Sequence, residues 1–258
     1  MKIFKNIIKS IILKYKMVDE LFDFYISKKN TIPSVITLTN PEKLKSSLFL
    51  PPSKFHSQLN QDIFALLINS FKKNLYFVEV GANDGYNLSN TLYLEEKFQW
   101  DGLLIEPNPR YFEKLKSRKA KFTPHAISDV NGIIEFYDSG LYGGELKHFD
   151  SKINDQKIIK VSGKNLYDIF KENAVPKKID FISVDTEGGD LCVLEQICKI
   201  SNHYTFTCGS IEHNYRIDDK IKIEKMLSDN GYEIVWRGKT QHDLFFINPR
   251  AIDKQNIL

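Results

Sequence analysis

Two apolar segments near the end of the chain, Tyr232–Trp236 and Leu244–Ile247, are separated only by Arg237–Asp243. Parallel neighbours in a sheet need a crossover of a dozen or more residues, so these two strands must run antiparallel. Upstream the pattern is different. Apolar strand-like runs alternate with amphipathic stretches, which argues for a doubly wound, mostly parallel sheet. The patterning predicts helices over Gln58–Phe71, Leu88–Phe98, Pro109–Ser117, Asn165–Glu172, the stretch after Gly189, and Ile217–Asn230. It predicts strands over Leu75–Val80, Leu103–Ile105, Phe122–Ile127, Phe181–Val184 and Tyr204–Ile211, with an irregular β stretch from Ile133 to Val161. The expected fold is therefore α/β, a seven-stranded mostly parallel sheet closed by one antiparallel strand.

Pro51-Pro52 marks a boundary, so residues 1–52 are expected to form a helical arm and 53–258 the main domain. Within the arm, Ile3, Phe4, Ile7, Ile8, Ile11, Ile12 and Tyr15 fall on one helical stripe, interleaved with lysines. Such a stripe docks on the protein's own core or on a second copy in a homodimer, or lies on an anionic membrane surface. No uninterrupted apolar run reaches the length of a signal-peptide core or a membrane span. A net charge of +3, with lysines spread along the chain, gives no sign of a nucleic-acid partner. Cys192, Cys198 and Cys208 have neither zinc spacing nor an even number, and read as reduced thiols. A cytoplasmic location is expected, with peripheral contact at the inner membrane if the arm binds lipid.

The stretch VEVGANDG, Val78 to Gly85, places two glycines four apart behind an apolar strand. Such a turn at a strand's carboxyl end invites a ligand to approach the backbone closely. A triphosphate loop would follow the last glycine with Lys and Ser or Thr, whereas here Tyr86-Asn87 follows. A dinucleotide loop would have glycines where Asn83 and Tyr86 stand, and Asp84 is a poor neighbour for a pyrophosphate. The pattern Glu79-x-Gly81-x-x-x-Gly85 suits a cofactor carrying a sulfonium and an ammonium, which carboxylates attract. About twenty residues on, Glu106 ends the second strand, where a carboxylate can accept both hydroxyls of a ribose.

These blocks, in order, resemble the FkbM-type family of S-adenosylmethionine-dependent methyltransferases. The resemblance runs from about Ser57 to Asn248. It is carried by Ser57-Gln58-x-x-Gln61-Asp62, by VEVGANDG with Ser89-Asn90-Thr91, by Leu104–Pro109 and by Ala126-Ile127-Ser128. Val184–Gly188, Ile211–Asn214 and His242–Asn248 complete it. One departure is Gly189-Asp190, where the family more often has a small polar residue and then Glu. The family implies a class I methyltransferase fold and S-adenosyl-L-methionine as cofactor. It also implies a cofactor turn of Gly81, Asn83 and Gly85, with Glu79 and Asp84 toward the methionine end. Glu106, with Pro107 and Asn108, falls at the ribose, and Ala126, Ile127 and Ser128 beside the adenine. Gln58 and Gln61 would cover the cofactor from the preceding helix.

Methyl transfer to a hydroxyl also needs an aligned acceptor and a base. By topology, Asp185, Glu187, Glu212, His213, Asn214 and His242 converge on the cofactor's edge of the sheet. His213 and His242 are candidate bases, with Asp185 beside them. Glu187, Glu212, Asn214, Tyr142 and Lys147 suit contacts to a polyhydroxyl or phosphorylated acceptor. No metal is expected, although Asp185 and Glu187, with Glu212 or His213, offer oxygen and nitrogen donors that a divalent cation accepts. The family implies O-methylation of a sugar or nucleotide-linked sugar in bacterial surface polysaccharide (capsule or lipopolysaccharide) biosynthesis. A phosphoryl-type or amine acceptor, a nicotinamide-dependent oxidoreductase and a non-catalytic scaffold remain open as alternatives.

Overall fold

The computed structural model describes residues 57–138, 144–145, 157–235 and 242–252. The expected N-terminal arm lies outside the described residues. In chain order the helices are α1 (Gln61–Ile68), α2 (Leu92–Phe98), α3 (Phe112–Leu115), α4 (Leu166–Glu172), α5 (Asp190–Lys199) and α6 (Ile217–Asp229). The strands are β1 (Tyr76–Val80), β2 (Asp101–Ile105), β3 (Lys121–Thr123), β4 (His125–Ile127), β5 (Gly132–Asp138), β6 (Gly144–Glu145) and β7 (Lys157–Lys164). They continue with β8 (Lys178–Ile179), β9 (Phe181–Val184), β10 (Thr205–Phe206), β11 (Cys208–Glu212), β12 (Glu233–Val235) and β13 (Asp243–Ile247).

Seven strands form the main sheet in the order β12-β13-β11-β9-β1-β2-β3. β13 pairs antiparallel with both β11 and β12, and the other pairings are parallel. The antiparallel closure expected from the short C-terminal connection is thus present. Alternation along the strands sorts side chains to two faces. Val78, Val80, Leu103 and Ile105 pack with Leu166, Phe170, Val193 and Ile197 of α4 and α5, and with Ile223 and Leu227 of α6. Phe77, Leu104, Phe181 and Phe245 pack on the other face with Phe64 of α1, Tyr93 and Leu94 of α2, and Trp100. Phe64 meets Phe245 edge-on, with ring centroids 4.8 Å apart. The result is a three-layer α/β/α unit.

Three expected elements differ in detail. The strand anticipated over Phe122–Ile127 is broken by Pro124, which cannot donate to a ladder. β3 stays in the main sheet, while β4 leaves it to join a four-stranded sheet ordered β4-β7-β5-β6. The anticipated strand Tyr204–Ile211 divides at Thr207, whose N–H donates to the Ile179 carbonyl at 2.8 Å. The helix anticipated from Leu88 begins only at Leu92, because Ser89, Asn90 and Thr91 turn inward as hydrogen-bond donors to Glu79.

Behind those donors lies Arg118, 1% exposed at its side chain. Its Nε donates to Glu95 Oε1 at 3.0 Å, Nη1 to the Gly85 carbonyl and Ser89 Oγ, and Nη2 to Thr91 Oγ1. One guanidinium therefore joins the glycine turn, the inward segment and α2. Removing one partner of a buried pair leaves the other charge uncompensated. Arg118→Leu is expected to destabilise the fold by about 3–5 kcal/mol, lowering the melting temperature by roughly 6–20 °C. A thermal melt followed by circular dichroism checks this, and a loss under about 1 kcal/mol would show that the node contributes little.

Candidate active site

The turn after β1 is built on left-handed backbone. Gly81, Asn83 and Gly85 have φ of 79°, 51° and 75°. At Gly81 a Cβ would stand 1.7 Å from the Asp185 carbonyl oxygen, so this position has room only for glycine. The N–H groups of Gly81 and Ala82 both donate to the Ile105 carbonyl, at 3.0 and 3.2 Å. The Asp84 carboxylate is consumed inside the turn. It accepts from the N–H of Tyr86 and of Asn87, from Asn87 Nδ2, and from Lys114 Nζ at 3.0 Å. Burial pushes the Asp84 carboxyl up, but these donors outweigh it and leave it below its ordinary value. Asn83 Oδ1 is buried without a hydrogen-bond partner.

Glu106 closes β2 and bridges two turns. Its Oε2 accepts from the Asn83 N–H and its Oε1 from the Asn108 N–H, each at 2.9 Å. Burial pushes its carboxyl up to about 7, against the lowering effect of the two amides. Asn108 accepts from the Arg110 N–H and donates to Asp138 Oδ1 at 2.9 Å, fastening the Pro107-Asn108 turn to the end of β5. The Glu106 N–H donates to the Thr123 carbonyl at 3.3 Å. Beyond Thr123, β4 carries Ala126 and Ile127, and Ser128 follows, its Oγ accepting from the Val130 N–H at 3.2 Å. Glu106, Ala126 and Ile127 are thus arranged past the carboxyl ends of β2 and β3.

Glu79 does not open onto this turn. Its carboxylate accepts from Ser89 Oγ, the Asn90 N–H at 2.7 Å and Thr91 Oγ1 at 2.5 Å. Burial raises it above its ordinary value, while Arg118 and these donors lower it. Gln61 on α1 donates to Asp243 Oδ2 at 2.9 Å and accepts from the Leu59 N–H. Gln58 is exposed.

The second half of the site lies at the ends of β9 and β11 and the start of β13. The antiparallel register sets Glu212 opposite Asp243. The His213 N–H then donates to the His242 carbonyl at 2.7 Å, which brings the two histidines together. Asp185, Glu187 and Glu212 each present a carboxylate oxygen, and these oxygens lie within 4.8 Å of one another. Burial and the neighbouring acids raise Asp185 and Glu212 well above the ordinary carboxylate range. Burial and Asp190 push Glu187 up to about 7, although Arg216 draws it down. Asn214 Nδ2 donates to Glu187 Oε2 at 3.2 Å. His242 Nε2 is 2.8 Å from the Tyr215 hydroxyl. His213 is buried, its Nδ1 has no partner, and burial with Lys220 lowers it below the usual imidazole value. Tyr142, Lys147 and most of the Gly140–His148 loop lie outside the described residues.

The structure brings together the two halves that topology anticipated, since the Asp185 carbonyl packs directly on Gly81. The reversed last strand placed Asp243 with His242 at this edge in the sequence, though without a role, and the structure sets it opposite Glu212. Sequence reasoning missed Arg118, for which there was no signal. The role of Asp190 is to cap the turn before α5, accepting from the Thr186 N–H and Oγ1 and the Gly188 N–H.

Glu106 gives a pH dependence with a definite sign. Its carboxyl is raised from 4.5 to about 7 by folding, so the folded state binds more protons than the unfolded state between those values. Stability from this group is complete below about 4.5 and is lost as pH rises through about 7, on the order of 3 kcal/mol in all. Urea unfolding of wild type and Glu106→Gln across pH 4.5–8 is expected to show the wild type losing ground to the variant as pH rises. Parallel curves would place the carboxyl at its ordinary value.

Among described residues, no helix is long and apolar enough to cross a membrane. No curated protein matches the chain. Among solved structures, it is similar to the methyltransferase FkbM of Methylobacillus flagellatus KT, with 19% identity and a TM-score of 0.44. That match covers 68% of this chain but only 44% of the Methylobacillus protein. A human methyltransferase 10 domain containing protein matches at 13% identity and TM-score 0.44, over 83% of this chain and 94% of that one. A Pyrococcus furiosus methyltransferase matches at 13% identity and TM-score 0.40, over 80% and 93%. A family model described as the methyltransferase FkbM domain matches residues 79–234, from the buried Glu79 of β1 into β12. That span is more than half of the chain, and this protein accordingly belongs to the FkbM family of S-adenosylmethionine-dependent methyltransferases.

Proposed function

We propose that residues 53–258 form an O-methyltransferase domain that methylates a hydroxyl of a sugar or nucleotide-linked sugar in bacterial surface polysaccharide biosynthesis. The observation that carries the reading is the contact of Gly81 with the Asp185 carbonyl, which sets the glycine turn and the Asp185–His213–His242 group on one edge. The turn fits S-adenosyl-L-methionine. Gly81 leaves a bare backbone surface, Asn83 Oδ1 is a buried acceptor with no partner, and Glu106 is a buried carboxylate suited to ribose hydroxyls. Ala126 and Ile127 offer an apolar surface for the adenine. Glu79 and Asp84 support the methionine end by shaping the turn, since their oxygens are already engaged.

The cofactor supplies a methyl group on a positively charged sulfur, so the protein's work is to align the acceptor and take its proton. His213 is the better-suited base. Its lowered pKa keeps the imidazole neutral near pH 7, and its Nδ1 is free to accept. His242, steadied by the Tyr215 hydroxyl, with Asn214 and Glu187, lines the acceptor side. Resemblance to the family and this concentration of polar groups support a polyhydroxyl acceptor.

Calorimetric titration with S-adenosylhomocysteine tests the cofactor reading. Glu106→Ala is expected to weaken binding by about 10–100-fold, the loss of one charge-assisted contact. Binding of NADH with silence toward S-adenosylhomocysteine would overturn it. Methyl transfer to nucleotide-linked sugars, compared with phosphate and amine acceptors, tests the acceptor. His213→Ala is expected to lower kcat by roughly 10²–10⁴-fold. Normal turnover by both His213→Ala and His242→Ala would remove the histidines from proton transfer.

A further inference from the structure

We propose that Asp185, Glu187 and Glu212 form a binding site for a hard divalent cation, magnesium or manganese in class. The three come from the ends of two adjacent parallel strands, so the fold itself gathers them. Their nearest carboxylate oxygens all lie within 4.8 Å of one another. Two oxygens across an ion that binds each at 2.0–2.6 Å are about 4–5 Å apart, so an ion fits among them with shifts of tenths of an ångström.

A second observation is independent of the clustering. Glu212 is 8% exposed, and its Oε2 has no hydrogen-bond partner. A buried carboxylate oxygen without a donor is costly, and a cation among the three groups satisfies it. The other two acids nearby are already provided for. Asp190 is capped by Thr186 and Gly188, and Asp243 accepts from Gln61. Arg216 places a positive charge beside Glu187. The donor set is all oxygen, without cysteine or histidine, which selects magnesium, manganese or calcium over zinc or copper.

Three protein ligands leave coordination positions open. If the acceptor is a sugar, as proposed above, two adjacent hydroxyl oxygens are the natural occupants, which would make the ion a determinant of which hydroxyl is methylated. The ion site itself does not depend on that reading.

The test uses the full chain after chelator treatment, titrated with Mn²⁺ alone and followed by loss of the free-ion electron paramagnetic resonance signal at pH 7.5. About one equivalent is expected to bind, displaceable by Mg²⁺. Asp185→Asn and Glu212→Gln are each expected to weaken binding at least tenfold. Both variants remove repulsion among the acids, so melting at or above the metal-free wild type is expected and separates lost binding from lost folding. If Glu212→Gln fails to fold, Asp185→Asn decides. Absence of Mn²⁺ binding, or binding unchanged in the variants, overturns the proposal and leaves a shared proton as what satisfies the cluster. S-adenosylhomocysteine titrated into the same metal-free protein keeps the two readings apart. Its binding without any Mn²⁺ site would sink the ion alone, and Mn²⁺ binding without it would sink the cofactor reading alone.

Discussion

A carboxylate is buried in the middle of the first strand, and much of the cofactor side of the molecule follows from that. Glu79 is buried and shares its face of the sheet with Phe77, which packs in the layer formed with α1, α2 and Trp100. An ionised carboxylate in such a place costs several kcal/mol unless donors surround it. The donors come from Ser89, Asn90 and Thr91, which forces the chain to turn inward before α2 can start. Arg118 then secures the same hydroxyls from behind and reaches the Gly85 carbonyl. The glycine turn is thereby fixed at both ends, by β1 at Gly81 and by the guanidinium at Gly85. Such fixing lowers the ordering cost that ligand binding would otherwise carry.

The second constraint is the direction of the last strand. Parallel strands deliver only their carboxyl ends to the ligand edge, whereas β13 runs the other way and delivers its beginning. His242 and Asp243 thus stand beside Glu212 and His213 across a single pairing step. This reversal makes the edge more acidic than parallel topology alone would, because a third strand adds its own carboxylate to those of Asp185, Glu187 and Glu212. The same reversal ties the site to the N-terminal side of the domain, since Gln61 on α1 reaches Asp243.

What was legible in the sequence was what depends on local chemistry and chain length. A seven-residue link dictates antiparallel pairing; Phe181–Val184 is a strand with the expected bounds; the helix expected over Asn165–Glu172 is present as α4, with Asn165 as its cap. The features that were not legible depend on partners distant in sequence. Leu88–Ser89-Asn90-Thr91 has adequate helical patterning, and only the buried Glu79 explains why the helix yields there. Pro124 breaks the strand expected over Phe122–Ile127, but the strand that receives β4, β7, lies more than thirty residues further on. At the site, residue types and strand ends placed the acids at one edge, whereas which of them are already engaged could be read only from side-chain contacts.

That distinction divides the carboxylates by supply of donors. Asp84 has four donors, from Tyr86, Asn87 twice and Lys114, and it stays charged. Glu79 and Asp190 are each met by at least three. These acids shape turns and have little left to offer a ligand. Glu106 has only two donors, both backbone amides, and Glu212 Oε2 has none. Burial raises both carboxyls, the two amides only partly offset it at Glu106, and the neighbouring Asp185 adds to it at Glu212. A buried acid with spare acceptor capacity is stable only if a proton or a ligand takes it up. Glu106 therefore looks to hydroxyl donors on the cofactor side, and Glu212 to a cation or a proton on the acceptor side. The two undersupplied carboxylates flank the Gly81–Asp185 contact, and the chemistry assigned to this edge follows from what each of them lacks.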